Sequence, residues 1–207
     1  MTETKRVKHW DKIYETKQIT EVSWYQPSPK TSLDFISSCN LPKNAAIIDI
    51  GAGDSFLVDH LLELGFSDIS VLDISLNAIN RAKKRLGEKQ HLITWIISDI
   101  TEFIPDKKYD LWHDRAAFHF LTQKDEINTY IQIVSSGLKS NASLIIGAFS
   151  KNGPLKCSGI EIQQYSKNDL ENVFKENFNL LRHQSIDHDT PFNTIQNFTF
   201  CSFIKNK

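Results

Sequence analysis

The 207-residue sequence predicts an α/β protein: a doubly wound, mainly parallel sheet that closes in an antiparallel hairpin. Three observations carry that expectation. Short apolar runs alternate with helical patterns, a glycine pair follows the first run directly, and the last two runs lie too close together for a crossover.

The apolar runs cover 45–50, 69–74, 93–99, 109–114 and 143–149. They are apolar along most of their length and rich in branched residues, which suits strands covered on both faces. The helical stripes fall between them. Leu57, Leu61 and Leu64 follow Asp54 and Ser55; Ile79, Ala82 and Leu86 form a second stripe, with Gly87 placed to end it. Thr122 and Asp125 resemble a capping box before a third, striped by Ile127, Tyr130, Ile131, Val134 and Leu138. Ser166 and Asp169 repeat that start before Leu170, Val173, Phe174 and Phe178. Residues 179 to 187 and 196 to 204 read as two strands joined by a short loop. A parallel return needs roughly a dozen residues or more, so this pair must be antiparallel.

The chain length fits one domain at ~100–200 residues each. Residues 1–44 are expected to form a helical cap carrying Trp10, Tyr14, Trp24 and Tyr25, and 45–207 the core. Both the cap and the long connection 151–165 are expected over the carboxyl ends of the strands, where open α/β sheets bind ligands.

Composition narrows the function classes. Twenty-five acids against 24 bases leave a formal charge of −1, which argues against a nucleic-acid partner. The Lys5, Arg6, Lys8, Lys12 cluster reads as a solvated terminus. A 40% hydrophobic fraction is enough for a core and excludes disorder. Cys39, Cys157 and Cys201 form no C-x-x-C pair, which argues against a disulfide framework or cysteine zinc site and suits a reducing, cytoplasmic setting. His183 and His188 lack a ligand-like cluster, so no metal is expected. The first fifteen residues hold no apolar signal region, and no run approaches the ~18 apolar residues of a membrane span.

The segment Asp49-Ile-Gly-Ala-Gly-Asp-Ser55 follows the first strand and opens the first helix. Gly51 and Gly53, with Ala52 between them, permit a tight turn and close approach of a ligand to backbone. A dinucleotide fingerprint needs a third glycine at 56, where Phe56 stands, and Asp54 disfavours phosphate at the helix start. The loop therefore favours a nucleoside without phosphates. Asp73, at the end of the second strand, is placed to accept ribose hydroxyls. Asp99, one strand further, is placed to accept an exocyclic adenine amine, with Ile74 and Ile100 on the ring faces. Asp49 is placed for an ammonium.

Together these residues resemble the class I S-adenosylmethionine-dependent methyltransferases. The resemblance rests on Ile-Ile-Asp-Ile-Gly-Ala-Gly, Val-Leu-Asp-Ile-Ser and Ser-Asp-Ile, and runs from residue 45 to the terminal hairpin. His9-Trp10-Asp11 through Tyr14, with Ser23-Trp-Tyr-Gln26, resembles small bacterial members of similar length. The resemblance implies a Rossmann-like three-layer sandwich whose seven-stranded sheet has its last strand inserted antiparallel. It also implies S-adenosylmethionine as cofactor and S-adenosylhomocysteine as product. The methionine moiety would lie on Gly51 and Gly53, the ribose on Asp73, and the adenine on Asp99 with Ile100. Trp10 and Tyr14 resemble residues that close over the cofactor.

Methyl transfer from a sulfonium is an in-line displacement in which the protein aligns the reactants and excludes water. The acceptor is therefore expected beside the fourth strand, at Leu111-Trp-His-Asp-Arg-Ala-Ala-Phe-His-Phe120. No Asn-Pro-Pro-Tyr-like motif stands there, which argues against DNA adenine or glutamine acceptors. Asp114-Arg-Ala resembles the Asp-Arg-Gly of thiopurine and thiol methyltransferases and the Asp-Lys-Gly of some protein-lysine methyltransferases, with Ala116 replacing the glycine. Asp114 would orient an ammonium, or Arg115 would stabilise a thiolate or carboxylate; alternatively the two pair with each other. His113 and His119 are candidate bases, and Trp24, Tyr25, Phe118 and Phe149 candidate walls of an apolar acceptor pocket. The expected function is methyl transfer to a small molecule. A protein-lysine acceptor, a non-catalytic S-adenosylmethionine binder and a nicotinamide-dependent reductase remain as alternatives.

Overall fold

A computed structural model of the chain describes residues 3–207. Two helices come first, α1 (Glu3–Thr16) and α2 (Lys30–Ser37). The alternating part follows as β1 (Ala46–Ile50), α3 (Leu57–Glu63), β2 (Asp68–Asp73), α4 (Leu76–Leu86), β3 (Ile93–Ile97) and β4 (Tyr109–Arg115). Next come α5 (Lys124–Gly137), β5 (Leu138–Phe149), a small hairpin of β6 (Lys156–Cys157) and β7 (Ile160–Glu161), α6 (Lys167–Phe174), β8 (Phe178–Asp189) and β9 (Ile195–Lys205).

The main sheet has seven strands in the order β3-β2-β1-β4-β5-β9-β8. Pairing is parallel from β3 to β5 and antiparallel where β9 inserts between β5 and β8. Alternating strand residues feed two buried clusters, one on each face. Ile48, Ile50, Trp112, Leu144 and Ile146 pack with Tyr130 and Val134 of α5 and Leu170 and Phe174 of α6. Ile47, Leu111 and Ile145 pack with Phe35, Leu57, Leu61 and Ile79 from α2, α3 and α4. Three layers result, with the carboxyl ends of β1, β2 and β4 side by side at the reversal of strand order, where such sheets bind ligands.

Gly87 ends α4 at φ +56, and Ser166 and Asp169 cap α6 reciprocally, as their spacing predicts. Other expectations need correcting. Thr122 does not cap α5: Gln123 is the extended residue before the helix and its side chain makes no capping bond. Leu138 belongs to no helical stripe, because it opens β5 in extended conformation and pairs with Tyr109, which makes that strand five residues longer than the apolar run. Leu64 is exposed, so the stripe of α3 is Leu57, Val58 and Leu61. The third strand stops at Ile97, two residues short of Asp99.

Candidate functional site

A cleft opens at the carboxyl ends of the parallel strands, enclosing about 1300 Å³ with its open mouth included. One wall is the loop after β1. Gly51 and Gly53 both have positive φ, and a Cβ on Gly51 would come within 2.4 Å of Ala117 Cβ. Gly51 and Ala52 line the cleft, as do Asp73, Ile74, Asp99 and Ile100. Gly53 does not line it. Its amide instead donates to Asp73 Oδ2 at 2.7 Å, and the Tyr14 hydroxyl packs where its side chain would be.

Asp73 is buried, and Ser75 N–H donates to its Oδ1 at 2.8 Å. A carboxylate has about four acceptor positions, so two remain for ligand hydroxyls. Burial pushes its pKa up to about 6, against the two amide bonds, which pull it down. Asp54 pairs with Arg81 at 2.8 Å, which neutralises the acid at the start of α3.

Helix α1 covers the cleft with Arg6, Trp10 and Tyr14. Their spacing of four puts them on one helix face. Polar ties hold the helix down. Asp11 Oδ1 accepts from Ser75 Oγ at 2.6 Å and from Asn77 N–H at 3.2 Å, at the N-terminus of α4. Arg81 in turn donates to the carbonyls of Tyr14 and Lys17. Arg6 is no solvated residue: its side chain is 15% exposed and pairs with Asp99 and Glu126 at 2.8 and 2.6 Å.

The segment after β4 departs most from expectation. Asp114 is fully buried and does not line the cleft. Its Oδ1 accepts from Ala117 and Phe118 N–H at 3.0 Å each and its Oδ2 from the Tyr130 hydroxyl at 2.7 Å. It therefore holds the loop rather than meeting an acceptor ammonium. Burial raises its pKa to about 6. His113 lines the cleft, but both its nitrogens are engaged, Nδ1 with Asp49 Oδ1 at 2.7 Å and Nε2 with Ser32 Oγ at 2.9 Å. A carboxylate only accepts, so Nδ1 carries the hydrogen that faces Asp49. Asp49 thereby pairs through Oδ1 with His113, its in-register neighbour across β1 and β4, and itself lines the cleft. His119 accepts from Phe149 N–H and lies outside the cleft. Burial, with help from Arg115, lowers its pKa to about 3, which disqualifies it as a base near neutrality.

Arg115 does not pair with Asp114. Nη1 donates to the Trp24 carbonyl at 3.2 Å and the guanidinium sits 5.0 Å from the centre of the Phe198 ring. Nη2 is buried with no partner among the described residues. Desolvation lowers the pKa to about 10, opposed by Asp49, so the group stays charged at neutral pH. Ala116 behind it holds φ +67, a left-handed conformation that costs roughly 1–2 kcal/mol outside glycine. Trp24, Tyr25, Phe120, Phe149 and Phe198 line the cleft nearby, whereas Phe118 is core.

Arg6, Ser32, Phe120, Cys157 and Phe198 are among the cleft residues that sequence reasoning missed. Only Arg6 had a visible signal, its helical spacing from Trp10 and Tyr14. Among the described residues no three His, Cys, Asp or Glu side chains gather as metal ligands, and no helix is long and apolar enough to cross a membrane.

The family profile described as "Methyltransferase domain" matches residues 41–199. Malonyl-(acyl-carrier protein) O-methyltransferase 2 of Ilyobacter polytropus is 31% identical over 107 residues, 51% of this chain and 40% of that protein. EEF1A lysine methyltransferase 2 of Homo sapiens is 24% identical over 184 residues, 84% of this chain and 74% of that protein. The chain thus spans under half the length of the first of these relatives. Among solved structures, N-methyltransferase NodS from Bradyrhizobium japonicum WM9, in complex with S-adenosyl-L-homocysteine, superposes with a TM-score of 0.74. That match has 14% identity and covers 96% of this chain and all of that one, a likeness of fold.

The three bonds on Asp114 set a test. Asp114→Asn keeps an acceptor for the two amides but disturbs the bond from Tyr130, and should cost roughly 1–3 kcal/mol of stability in urea unfolding. Turnover per folded molecule should stay within a few-fold of wild type. A large loss of turnover at unchanged stability would return Asp114 to the chemistry.

Proposed function

The chain belongs to the methyltransferase-domain family, and on that premise we propose that it is an S-adenosylmethionine-dependent enzyme that methylates an anionic small-molecule nucleophile. Two features of the cleft fit the cofactor. Asp73, buried on the cleft wall, keeps acceptor positions beyond its two amide bonds, and Asp99 lines the same cleft after the next strand, ion-paired to Arg6. Gly51 and Ala52 would hold the methionine moiety and Asp73 the ribose hydroxyls. Asp99 with Ile100 would hold the adenine, while Ile74 packs on its ring. Trp10 and Tyr14 of α1 exclude water from above. When bound, S-adenosylmethionine would supply an electrophilic methyl: the nucleophile bonds to the methyl carbon in line as its bond to sulfur breaks, leaving S-adenosylhomocysteine.

The observation that carries the acceptor class is Arg115 Nη2, a charged donor with no partner, buried among aromatic walls. Such a group attracts a carboxylate, oxyanion or thiolate and repels an ammonium. Asp114 is spent on its loop, so an amine acceptor would not find that carboxylate free. The O-methyltransferase relative bears on the same point, since a malonyl group carries a carboxylate. A nucleophile that arrives ionised needs no base. His113 is then a positioning residue, bracing Asp49 between β1 and β4. The lysine methyltransferase relative makes a protein acceptor the rival reading. The three free cysteines suit a reducing compartment, so the reading places the enzyme in the cytoplasm.

Incubation with methyl-labelled S-adenosylmethionine and cell extract, followed by size separation, tests the acceptor class. Label should enter the small-molecule fraction. Arg115→Met should bind S-adenosylhomocysteine normally yet lose roughly tenfold or more of its turnover, as for a removed charged hydrogen bond. Label in the protein fraction that resists mild base, as an N-methyl group does and a methyl ester does not, and that Arg115→Met leaves undiminished would overturn this reading in favour of a lysine acceptor.

The raised pKa of Asp73 sets a pH dependence. Ribose hydroxyls donate to the ionised carboxylate, so S-adenosylhomocysteine affinity should be full above its pKa of about 6 and fall with acidification below it, by up to about tenfold per pH unit. Affinity by calorimetry that stays flat from pH 8 to 5 would remove Asp73 from the ribose site.

A further inference from the structure

The fold fastens the segment Ser23-Trp-Tyr-Gln26 to the acceptor end of the cleft at two successive carbonyls. Arg115 Nη1 donates to that of Trp24 at 3.2 Å, and His188 Nε2, on β8, to that of Ser23 at 2.7 Å. Both side chains lie against Phe198, the guanidinium 5.0 Å and the imidazole 6.1 Å from its ring centre. Trp24, Tyr25 and Gln26 are thereby set into the cleft wall on the side where Arg115 stands.

The state of His188 decides how Gln26 is presented. A carbonyl only accepts, so the bond to Ser23 requires a hydrogen on Nε2. Burial, reinforced by the charge of Arg115, lowers the His188 pKa against the Ser23 bond and Asp189. The ring is then neutral near pH 7, and Nδ1 is a bare acceptor. Gln26 accordingly turns its amide nitrogen to Nδ1, at 3.4 Å, the one side-chain hydrogen bond Gln26 makes among the described residues. Its oxygen is left over. Gln26 is half-buried and lines the cleft, so that oxygen is an acceptor without a protein donor, set among aromatic walls.

Two groups of opposite kind thus share this end of the cleft: Arg115, a charged donor, and Gln26 Oε1, a neutral acceptor. We propose that Gln26 is a specificity-determining residue, and that the methyl acceptor is an acid carrying a neutral hydroxyl or amide N–H apart from its anionic group. Arg115 takes the anion and Gln26 Oε1 the donor. His188 does not line the cleft; it is a positioning residue that holds the amide with its oxygen free. This rests on the anionic-acceptor reading of Arg115. A plain aliphatic acid lacks the donor, and an ammonium, which would suit the amide oxygen, is repelled by Arg115.

Calorimetry on protein loaded with S-adenosylhomocysteine tests the assignment, with the straight-chain acids from butanoate to decanoate and their ω-hydroxy counterparts as probes. At the length that spans the two groups, the hydroxy acid should bind roughly three- to tenfold more tightly than its parent, the scale of a neutral hydrogen bond. Gln26→Leu should bring the hydroxy acid down to the affinity of its parent, and His188→Phe should shrink the ratio between the two. Weaker binding of both acids to His188→Phe at an unchanged ratio, the signature of a merely structural role, would overturn the positioning role. Equal binding of parent and hydroxy acid at every length, or a preference that survives Gln26→Leu, would overturn the role of Gln26 and leave the anionic reading standing. Acids that bind Arg115→Met as well as wild type, or no binding of any acid, would overturn the anionic reading and this proposal with it.

Discussion

The site hangs on one buried carboxylate. Asp73 ends β2 and accepts from Gly53 in the loop after β1 and from Ser75 at the start of α4. Ser75 passes the connection on through Asp11 to α1. Loop, sheet edge, helix start and cover are thus aligned by a chain of short polar contacts that begins at a single side chain. Burial makes that carboxylate costly to ionise, which is tolerable only because amides, and in the proposed complex ribose hydroxyls, face it.

A similar economy of buried charge shapes the acceptor side. Asp114 is consumed by the loop that follows β4, while Asp49 gives one oxygen to His113. Arg115 is left with an unused donor, and Ala116 is held left-handed beside it with its N–H bonded to the Gly147 carbonyl. Strain of this kind persists where surrounding structure fixes it, and it is often found at functional positions. The segment Asp114-Arg-Ala therefore divides its labour: the acid builds the turn, the arginine faces the cleft, and the alanine takes the conformation that links them.

Much of the fold was legible because its signals are local and redundant. Apolar runs for the parallel strands, the short link between β8 and β9, and the glycine at the end of α4 each state their geometry in a few residues. The positions of Asp73 and Ile74 followed from a strand end, and Asp99 lies on the same cleft although its strand stops two residues earlier. What could not be read was which polar side chains use each other up. Asp114 and Arg115 are neighbours in sequence yet point to different partners, because successive residues of a strand face opposite sides of the sheet. The commitment of His113 to Asp49 and Ser32 joins residues 64 and 81 positions apart. Arg6 illustrates the same limit: a basic cluster near a terminus resembles a solvated face until the fold brings Asp99 and Glu126 beside it.

The central claim is that the strand-end cleft holds an S-adenosyl nucleoside and no pyrophosphate-bearing cofactor. Titration calorimetry with S-adenosylhomocysteine and, separately, with reduced nicotinamide adenine dinucleotide tests it most directly. The account predicts one-to-one binding of the first and none of the second, since Phe56 and the buried Asp54 stand where a pyrophosphate would need glycine and bare helix N-terminus. Binding of the dinucleotide with no binding of S-adenosylhomocysteine would contradict it.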